Sequence, residues 1–595
     1  MLTHAPHPAY VKLCGLSVCA HDVRLSTGSS SMRFNTRFFV LVLTLAALFV
    51  SLGAVAAQDG KVLYTSRQMG PDDVPTLDPS QASDVPSVQI IVEIFPELIR
   101  LHEESVLTEP GMATWTVSDD GLVYTFSIQP EVPWVKYNAD SGAVEQVMVD
   151  GAPRYVQAQD FAYTMVRTLD PNVASDYGYV LAPWVVGGSE LNSLDTESAT
   201  YEADRQAAID ALGINVVDDY TLEVTVTKAS AAVQSIFAMW ITTATPGWLI
   251  DELGDVWIEA ENIVTYGPFA VKSWDHGAGI TLVKNPFFAG VGAVPAAKLD
   301  EVVFQFLDPA AQFPAYEAGT LQVAEVDGTM IPRIKADPAL SAHYYAAPGS
   351  CTYYYGFNQT REPFNDARVV RAFSAALDRQ AIVDAVTQAG ELPAYMFVLP
   401  SMAAAPKQED YPDQTIKFDP EYAKAQLQEY LDEKGITAAD ITGTLLHNNS
   451  TAHAAIAQAA QAMWADTLGV NIQISAQDFG VYLDQRRDAD IYRAGWCFDY
   501  PDSNNWYYDV FHSSVDPDNH FNNAEYDALV EAAAVAPTVE ERVALYAQAD
   551  AILTNTAASI APIYYYVTDD ITADGVERTH SVIGREYYEK WDLAG

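Results

Sequence analysis

Basic residues are scarce in this chain. Its 595 residues carry 32 Lys and Arg against 79 Asp and Glu, a net charge of −47. Nucleic acid and anionic lipid are held through Lys and Arg, so such a surface excludes both as partners. Cysteine is scarcer still, with four in all. There is no H-E-x-x-H or C-x-x-C, no P-loop, no G-x-G-x-x-G and no G-x-S-x-G, which argues against the metalloprotease, redox, nucleotide-binding and serine-hydrolase classes. The longest apolar run, Phe38 to Leu52, has about 15 residues, short of the ~20 that a spanning helix needs. Internal repeats and long linkers are also missing, so the domains are expected to be interwoven rather than strung in a row.

What is present is a globular composition, 49% hydrophobic, in a chain long enough for two or three domains. The acidity reads first as a solubility device, suited to a salty or acidic medium, and second as long-range attraction for cationic ligands. The start of the chain reads as a targeting segment. Met32 opens a short basic stretch with Arg33 and Arg37, the apolar run follows, and Ala54-Val55-Ala56-Ala57 supplies the small residues of a cleavage site. This is a secretory signal of the Sec type over residues 32–57. Met32 is taken as the true start, residues 1–31 as a spurious extension, and the mature chain as beginning near Gln58. No cysteine stands at the cleavage point to carry a lipid anchor. Cys14 and Cys19 fall in the removed part. The mature chain keeps Cys351 and Cys497, which composition alone leaves as a disulfide or as two buried thiols.

Past the signal, Lys61 to Ser66 reads as a first strand. Trp115 to Phe126 alternates about Asp120-Gly121, a hairpin pattern. Leu222 to Val226 and residues 299–307 are further strands, the latter with Val302, Phe304 and Phe306 on one face. A long helix is expected from Asp366, with Val369, Val370, Phe373, Ala376 and Leu377 at helical spacing and Asn365 or Asp366 as its cap. Thr444 to His447, a helix from Ala452 to Leu468 closed by Gly469, and a strand from Val470 to Ile474 form a βαβ unit. Its helix should turn Ile456, Ala460, Met463 and Trp464 inward. Ile491 to Trp496 adds another strand. Strands alternating with helices predict an α/β chain with a parallel, helix-covered sheet.

Several runs resemble the solute-binding proteins of the oligopeptide/dipeptide/nickel class of ABC importers (family 5). These are Trp115 to Phe126, Tyr266-Gly267-Pro268-Phe269 with Lys284-Asn285-Pro286, and Asn365 to Phe373 closing with Leu377-Asp378-Arg379. Cys351-Thr352-Tyr353-Tyr354-Tyr355, Leu392-Pro393-Ala394-Tyr395, Arg493-Ala494-Gly495-Trp496-Cys497 with Asp499-Tyr500, and Pro562-Ile563-Tyr564-Tyr565-Tyr566 resemble the oligopeptide-binding branch. The resemblance implies a two-lobed periplasmic-binding-protein clamp (class II, cluster C) with an extra domain on the first lobe. Lobe I would be 58–350 with 568–595, its inserted domain about 100–237, and lobe II 351–567.

The same resemblance implies a set of ligand-binding residues. Asp499 would pair the ligand's α-ammonium, since a desolvated charge needs a counter-charge and an acceptor-only side chain suits a donor-only group. It follows a predicted strand end, where open α/β sheets bind ligands; a solvated loop aspartate is the plain alternative. Arg493, Gly495 and Cys497 would offer backbone to an added peptide strand, with Val85 pairing from the other side. Arg493 and His453 would meet the ligand carboxylate, the latter from a helix N-terminus. Their plain alternatives are a structural ion pair and a surface or N-terminal helix histidine. Tyr177 and Phe479 would touch ligand, unless they are core aromatics. Cys351 and Cys497 match family half-cystines, so a disulfide is implied. Thr387 stands where the family has Lys, Ser83 where it has Glu, and Phe479 where it has Trp.

Three readings follow. The first is an exported receptor, a monomer without cofactor or metal, that closes over short peptides and delivers them to an importer's permease and ATPase complex. The second keeps the clamp and changes the cargo to a metal chelate, an oligosaccharide or a cell-wall peptide. The third is a secreted hydrolase, since so many acids leave room for a catalytic carboxylate pair.

Overall fold

Residues 60–594 are described by the computed structural model of the chain. The expected extension (1–31), the signal (32–57) and the start near Gln58 lie outside these residues.

Alternation of apolar and polar residues sets the first elements. In β1 (Val62–Thr65) the inward positions Leu63 and Thr65 are fully buried. β2 (Ala113–Val117) and β3 (Val123–Ile128) form the expected hairpin, with Trp115 opposite Phe126. Gly121 in its turn takes a φ of 73°, a conformation that costs glycine little. With β4 (Ile214–Asp218) and β5 (Thr221–Thr225) they make a four-stranded sheet in the order β4-β5-β3-β2.

The large sheet is built from β1 and nine further strands along one path. These are β6 (Phe269–Asp275), β7 (Gly279–Lys284), β8 (Glu301–Gln305), β9 (Val323–Glu325), β10 (Tyr344–Phe357), β11 (Thr442–Asn448), β12 (Asn471–Gln477), β13 (Ile491–Cys497) and β14 (Ile560–Thr572). The order is β6-β7-β8-β1-β9-β14-β10-β13-β11-β12, with the short Leu392–Pro393 segment paired to β14 off this path. Val302 and Phe304 in β8 and Phe306 just beyond it are buried, as their spacing predicts.

The sheet is mixed, where strand and helix alternation predicted a parallel one. β1 pairs parallel with β8 and β9, and β11 parallel with β12 and β13. Between these groups run β10 and β14, antiparallel to each other, with β10 also antiparallel to β13. Both are long, at 14 and 13 residues, and their partners come from distant parts of the chain. Local periodicity carries no sign of that direction.

The helices follow the expected faces more closely than the expected lengths. α1 (Val85–Ile94) is capped by Asp84, which accepts from Ser87 N at 2.8 Å. α2 (Ala367–Ala375) buries Val369, Val370 and Phe373, but it is nine residues long rather than a long helix. Asp378 starts a new turn by accepting from Ala381 N at 3.0 Å, which ends the first helix early. α3 (Thr451–Leu468) turns Ile456, Ala460 and Trp464 inward, leaves Met463 partly buried, and stops at Gly469 with a φ of 71°. α4 (Phe479–Arg486) and α5 (Ser503–Phe511) flank the end of β13.

Two main hydrophobic clusters flank the paired long strands. One gathers Leu63, Phe95, Trp134, Phe269, Phe304 and Trp591, and extends to Phe397, Trp506 and Tyr546. The other gathers Tyr355, Phe357, Phe373, Leu445, Trp464 and Ile491. Cys351 and Cys497 lie opposite each other in the β10–β13 register and are joined as a disulfide, closing a span of 146 residues. A loop of that size should stabilise the folded state by several kcal/mol, about 5 at most. The double variant Cys351→Ser/Cys497→Ser is therefore expected to unfold at lower denaturant concentration than the oxidised protein. Reduction of the wild type should shift its midpoint by a similar amount.

Candidate ligand-binding cleft

β13 carries the backbone that the resemblance implies for ligand pairing, and the sheet leaves one edge of it open. On one side β10 pairs along all of β13. On the other, β11 pairs only at Ile491 and Tyr492. From Arg493 to Cys497 that edge has no strand neighbour among the described residues. Gly495 and Cys497 are exposed there. A side chain at 495 would press on Arg493 Nη2 and Tyr566 Oη at 3.3 Å each, so glycine keeps the edge clear. An unpaired row of N–H and C=O groups is a template for an added strand.

Asp499 stands two residues past the strand, on the wall of a cavity of ≈ 220 Å³. Val85, Tyr177, Cys497, Ser83, Asp84, Trp240 and Arg585 line the same cavity. Its carboxylate is held on three sides. Tyr177 Oη donates to Oδ1 at 2.9 Å, and Tyr179 Oη and Asn505 Nδ2 each donate to Oδ2 at 3.0 Å. Asn505, on α5, also accepts from the Asp499 amide at 3.0 Å and from Trp496 Nε1 at 3.1 Å. Burial raises the Asp499 carboxyl above the usual carboxylate value, and the Asn505, Tyr177 and Tyr179 donors oppose that rise. Asp509 behind it, bonded to Asn505 and Tyr500, is pushed up to about 7 by burial.

Arg493 lies near the other end of the open edge. Nη1 donates to Asn448 Oδ1 at 3.2 Å and Nη2 to Tyr566 Oη at 2.7 Å, with the guanidinium 4.9 Å from the Tyr353 ring centre. No carboxylate pairs with it among the described residues. His453, in the first turn of α3, has its ring 5.7 Å from Tyr353. Burial, Arg493 and His447 push it down to about 3, so it is neutral at physiological pH. It borders a second cavity of ≈ 570 Å³ that also takes in Thr387, Tyr564, Tyr566, Asp327, Glu391 and Asp569. Burial, with Glu391 and Asp570, pushes Asp569 up to about 7.

Asp499, Val85, Tyr177 and Cys497 thus share one cavity, and His453 and Thr387 share the other, with Arg493 and Gly495 on the strand between. Val85 is the first residue of α1 rather than part of an extended run, so what it presents is a first-turn amide without an intrahelical partner. Phe479 stands apart. It is 59% exposed on α4 and stacks on Tyr482, whose hydroxyl donates to Arg493 O. Sequence reasoning missed Tyr179 and Asn505. The Tyr177-Gly178-Tyr179 repeat and the Asn504-Asn505 pair were visible, but nothing local showed that both segments converge on Asp499. Among the described residues no cluster of His, Cys, Asp and Glu is placed to hold a metal ion, and no helix is long and apolar enough to cross a membrane.

An open strand edge with an anion at one end and an unpaired guanidinium at the other can hold an elongated zwitterion. That is the chemistry of a receptor for small solutes. Residues 108–518 match the family described as bacterial extracellular solute-binding proteins, family 5 Middle, and the chain belongs to that family. It is 29% identical over 500 residues to the periplasmic oligopeptide-binding protein OppA of Salmonella typhimurium, covering 83% of this chain and 86% of that one. It is 29% identical over 507 residues to the oligopeptide-binding protein OppA of Bacillus subtilis, covering 82% and 85%. The solved structure of Haemophilus influenzae OppA in complex with the peptide RPPGFSPFR superposes with a TM-score of 0.69 at 20% identity, over 90% of this chain and 100% of that one. The fold is the two-lobed α/β clamp of these proteins.

The neutral state of His453 gives a direct check. In a proton-detected titration its ring resonances should stay fixed between about pH 5 and 8, where an ordinary histidine near 6.5 would titrate. A normal titration there would place His453 in water rather than against Arg493.

Proposed function

We propose that this chain is an extracytoplasmic receptor that captures short peptides between two hinged lobes and delivers them to an ABC importer, and that it is not an enzyme. The observation that carries the reading is the half-buried Asp499 carboxylate, which is bonded by three neutral donors and by no cation. Burying an anion without a counter-charge is costly, and a peptide α-ammonium supplies the missing charge. The open edge from Arg493 to Cys497 pairs the ligand main chain, which reads length and termini more than side chains. Arg493 then receives the ligand carboxylate through a charge-assisted pair. His453, being neutral, contributes a hydrogen bond rather than charge. Thr387 and the carboxylates of the second cavity offer a ligand carboxylate no positive partner, which favours ligands whose C-terminus lies at Arg493. Val85 and Tyr177 border the ammonium site, and Phe479, which lines neither cavity, is given no part in it.

The oligopeptides named for two relatives support a peptide cargo, and a relative of Escherichia coli named for murein peptide keeps a cell-wall peptide as the second reading. The lobes are assigned as 58–350 with 568–595 and as 351–567, with the extra domain at about 100–237. The chain would be exported by the signal at 32–57 and act outside the cytoplasmic membrane as a monomer.

Native mass spectrometry of the freshly purified protein tests this reading. A set of co-purified peptides, mixed in sequence and narrow in length, is expected. A single non-peptide ligand, or no peptide binding in calorimetry, would overturn it. Asp499→Ala should fold normally and weaken peptide binding by about 3–5 kcal/mol, the scale for removing one partner of a buried pair. Binding requires the ionised carboxylate, and burial raises its pKa. Affinity should therefore fall on acidification at a higher pH than an exposed aspartate would give.

A further inference from the structure

Tyr179 is one of two residues bonded to Asp499 that neither periodicity nor resemblance singled out, the other being Asn505. It stands with Tyr177 on one short turn, Gly178–Leu181 preceded by Tyr177, and its ring lies 6.1 Å from that of Tyr177. Both hydroxyls reach across to Asp499, more than 300 positions further along the chain, at separations of 322 and 320 residues.

We infer that Tyr179 is a positioning residue, one that completes the Asp499 anchor only when the lobes are shut and so couples ligand capture to closure. The inference rests on the reading of the cleft given above. It follows from counting acceptor sites. A carboxylate offers about four lone-pair sites. Tyr177 occupies one on Oδ1, and Tyr179 and Asn505 occupy both on Oδ2, which leaves a single site on Oδ1 for a ligand N–H. The three donors differ in origin. Asn505 sits six residues from Asp499 and also holds the Asp499 amide and Trp496 Nε1, so it travels with the anchor. Tyr177 and Tyr179 belong to the other wall and leave with it when the cleft opens. In the open form water replaces them and the carboxylate plane is free to turn. In the closed form three fixed donors orient it. A contact made in one state and not in the other is what shifts a two-state equilibrium.

Tyr179 is the cleaner of the two tyrosines to test. Tyr177 packs edge-on against Trp240 at 4.8 Å and lines the cavity, so altering it disturbs the ligand wall. Tyr179 is 47% exposed and is not part of that lining, so losing its hydroxyl leaves the packing in place. The other charged groups around the anchor are Asp509 behind it, Asp176 beside Tyr177, and Asp84 and Arg585 across the cavity. Tyr179→Phe leaves all of them in place.

The test compares wild type with Tyr179→Phe in two measurements, one without ligand and one with trialanine. Small-angle scattering of the ligand-free proteins should show the variant shifted toward the open form, with a larger radius of gyration. Trialanine should bind the variant about tenfold more weakly, the scale of one hydrogen bond to a charged group. Losing a donor to the ionised carboxylate raises its pKa further. The acid limb of trialanine binding should therefore move to higher pH in the variant. Identical scattering profiles would overturn the coupling. So would an affinity loss equal at every pH, which is what a change in local packing produces. If wild type binds neither trialanine nor any co-purified peptide, it is the peptide reading that fails, and the scattering comparison still decides the role of Tyr179.

Discussion

The antiparallel pairing of β10 with β14 is the constraint on which the rest of the structure depends. These two strands lie side by side in the middle of the large sheet and run past both hydrophobic clusters. Toward one end, Tyr344 to Ala347 pair with Thr568 to Ile571, next to β9 and β1. Toward the other, Thr352 to Gly356 pair with Ile560 to Tyr565, next to β13 and β11. The register shifts between Pro348 and Thr352, where the pair passes from one group of neighbours to the other. Two elements separated by about two hundred residues therefore make a single continuous joint, and both halves of the fold hang from it.

Buried charge reinforces that joint on the β1 side. Asp570 of β14 meets Arg67 at 3.3 Å and Arg578 at 2.9 Å, and both arginines also reach Glu586. All four side chains are almost fully buried. A buried network of this kind is weak evidence for net stability but penalises any arrangement that breaks it. It draws the segment after β1 and the C-terminal segment onto one strand. On the β13 side the same task falls to the Cys351–Cys497 bond, which ties β13 to β10 beside the point of passage. The open edge of β13 is thus held by a covalent bond at its Cys497 end, while Tyr482 donates to Arg493 O at the other, and no strand pairs with the backbone from Arg493 to Cys497 on that edge among the described residues.

Charge inside the cleft is distributed unevenly, and the consequences are chemical. The anion at Asp499 is half-buried and fixed by neutral donors. The cation at Arg493 is fixed by Asn448 and Tyr566. Neither is neutralised by the other, because the strand between them keeps them apart. A histidine that in water would titrate near neutrality is kept neutral beside Arg493. The overall charge of −47 plays no part in this balance, since only a few of those acids border the cavities.

Much of this is legible in the amino-acid sequence alone. Val302, Phe304 and Phe306 announced a strand face by alternation. Asp120-Gly121 announced a hairpin by turn chemistry. Gly469 announced a helix end by its tolerance of positive φ. Each is a local property, settled by neighbours within a few residues, and each is where the pattern placed it. The long helix from Asp366 is shorter because a second capping aspartate, Asp378, restarts the chain twelve residues later. Resemblance brought Asp499, Tyr177, Val85 and Cys497 forward, and they border one cavity. What no local pattern could supply was the direction of β10 and β14, the bare edge of β13, the exposed place of Phe479, and the meeting of Tyr179 and Asn505 on one carboxylate. Those depend on which distant segments share a space. Hydrogen bonds and burial between residues hundreds of positions apart settle them, and they exist only once the sheet has closed.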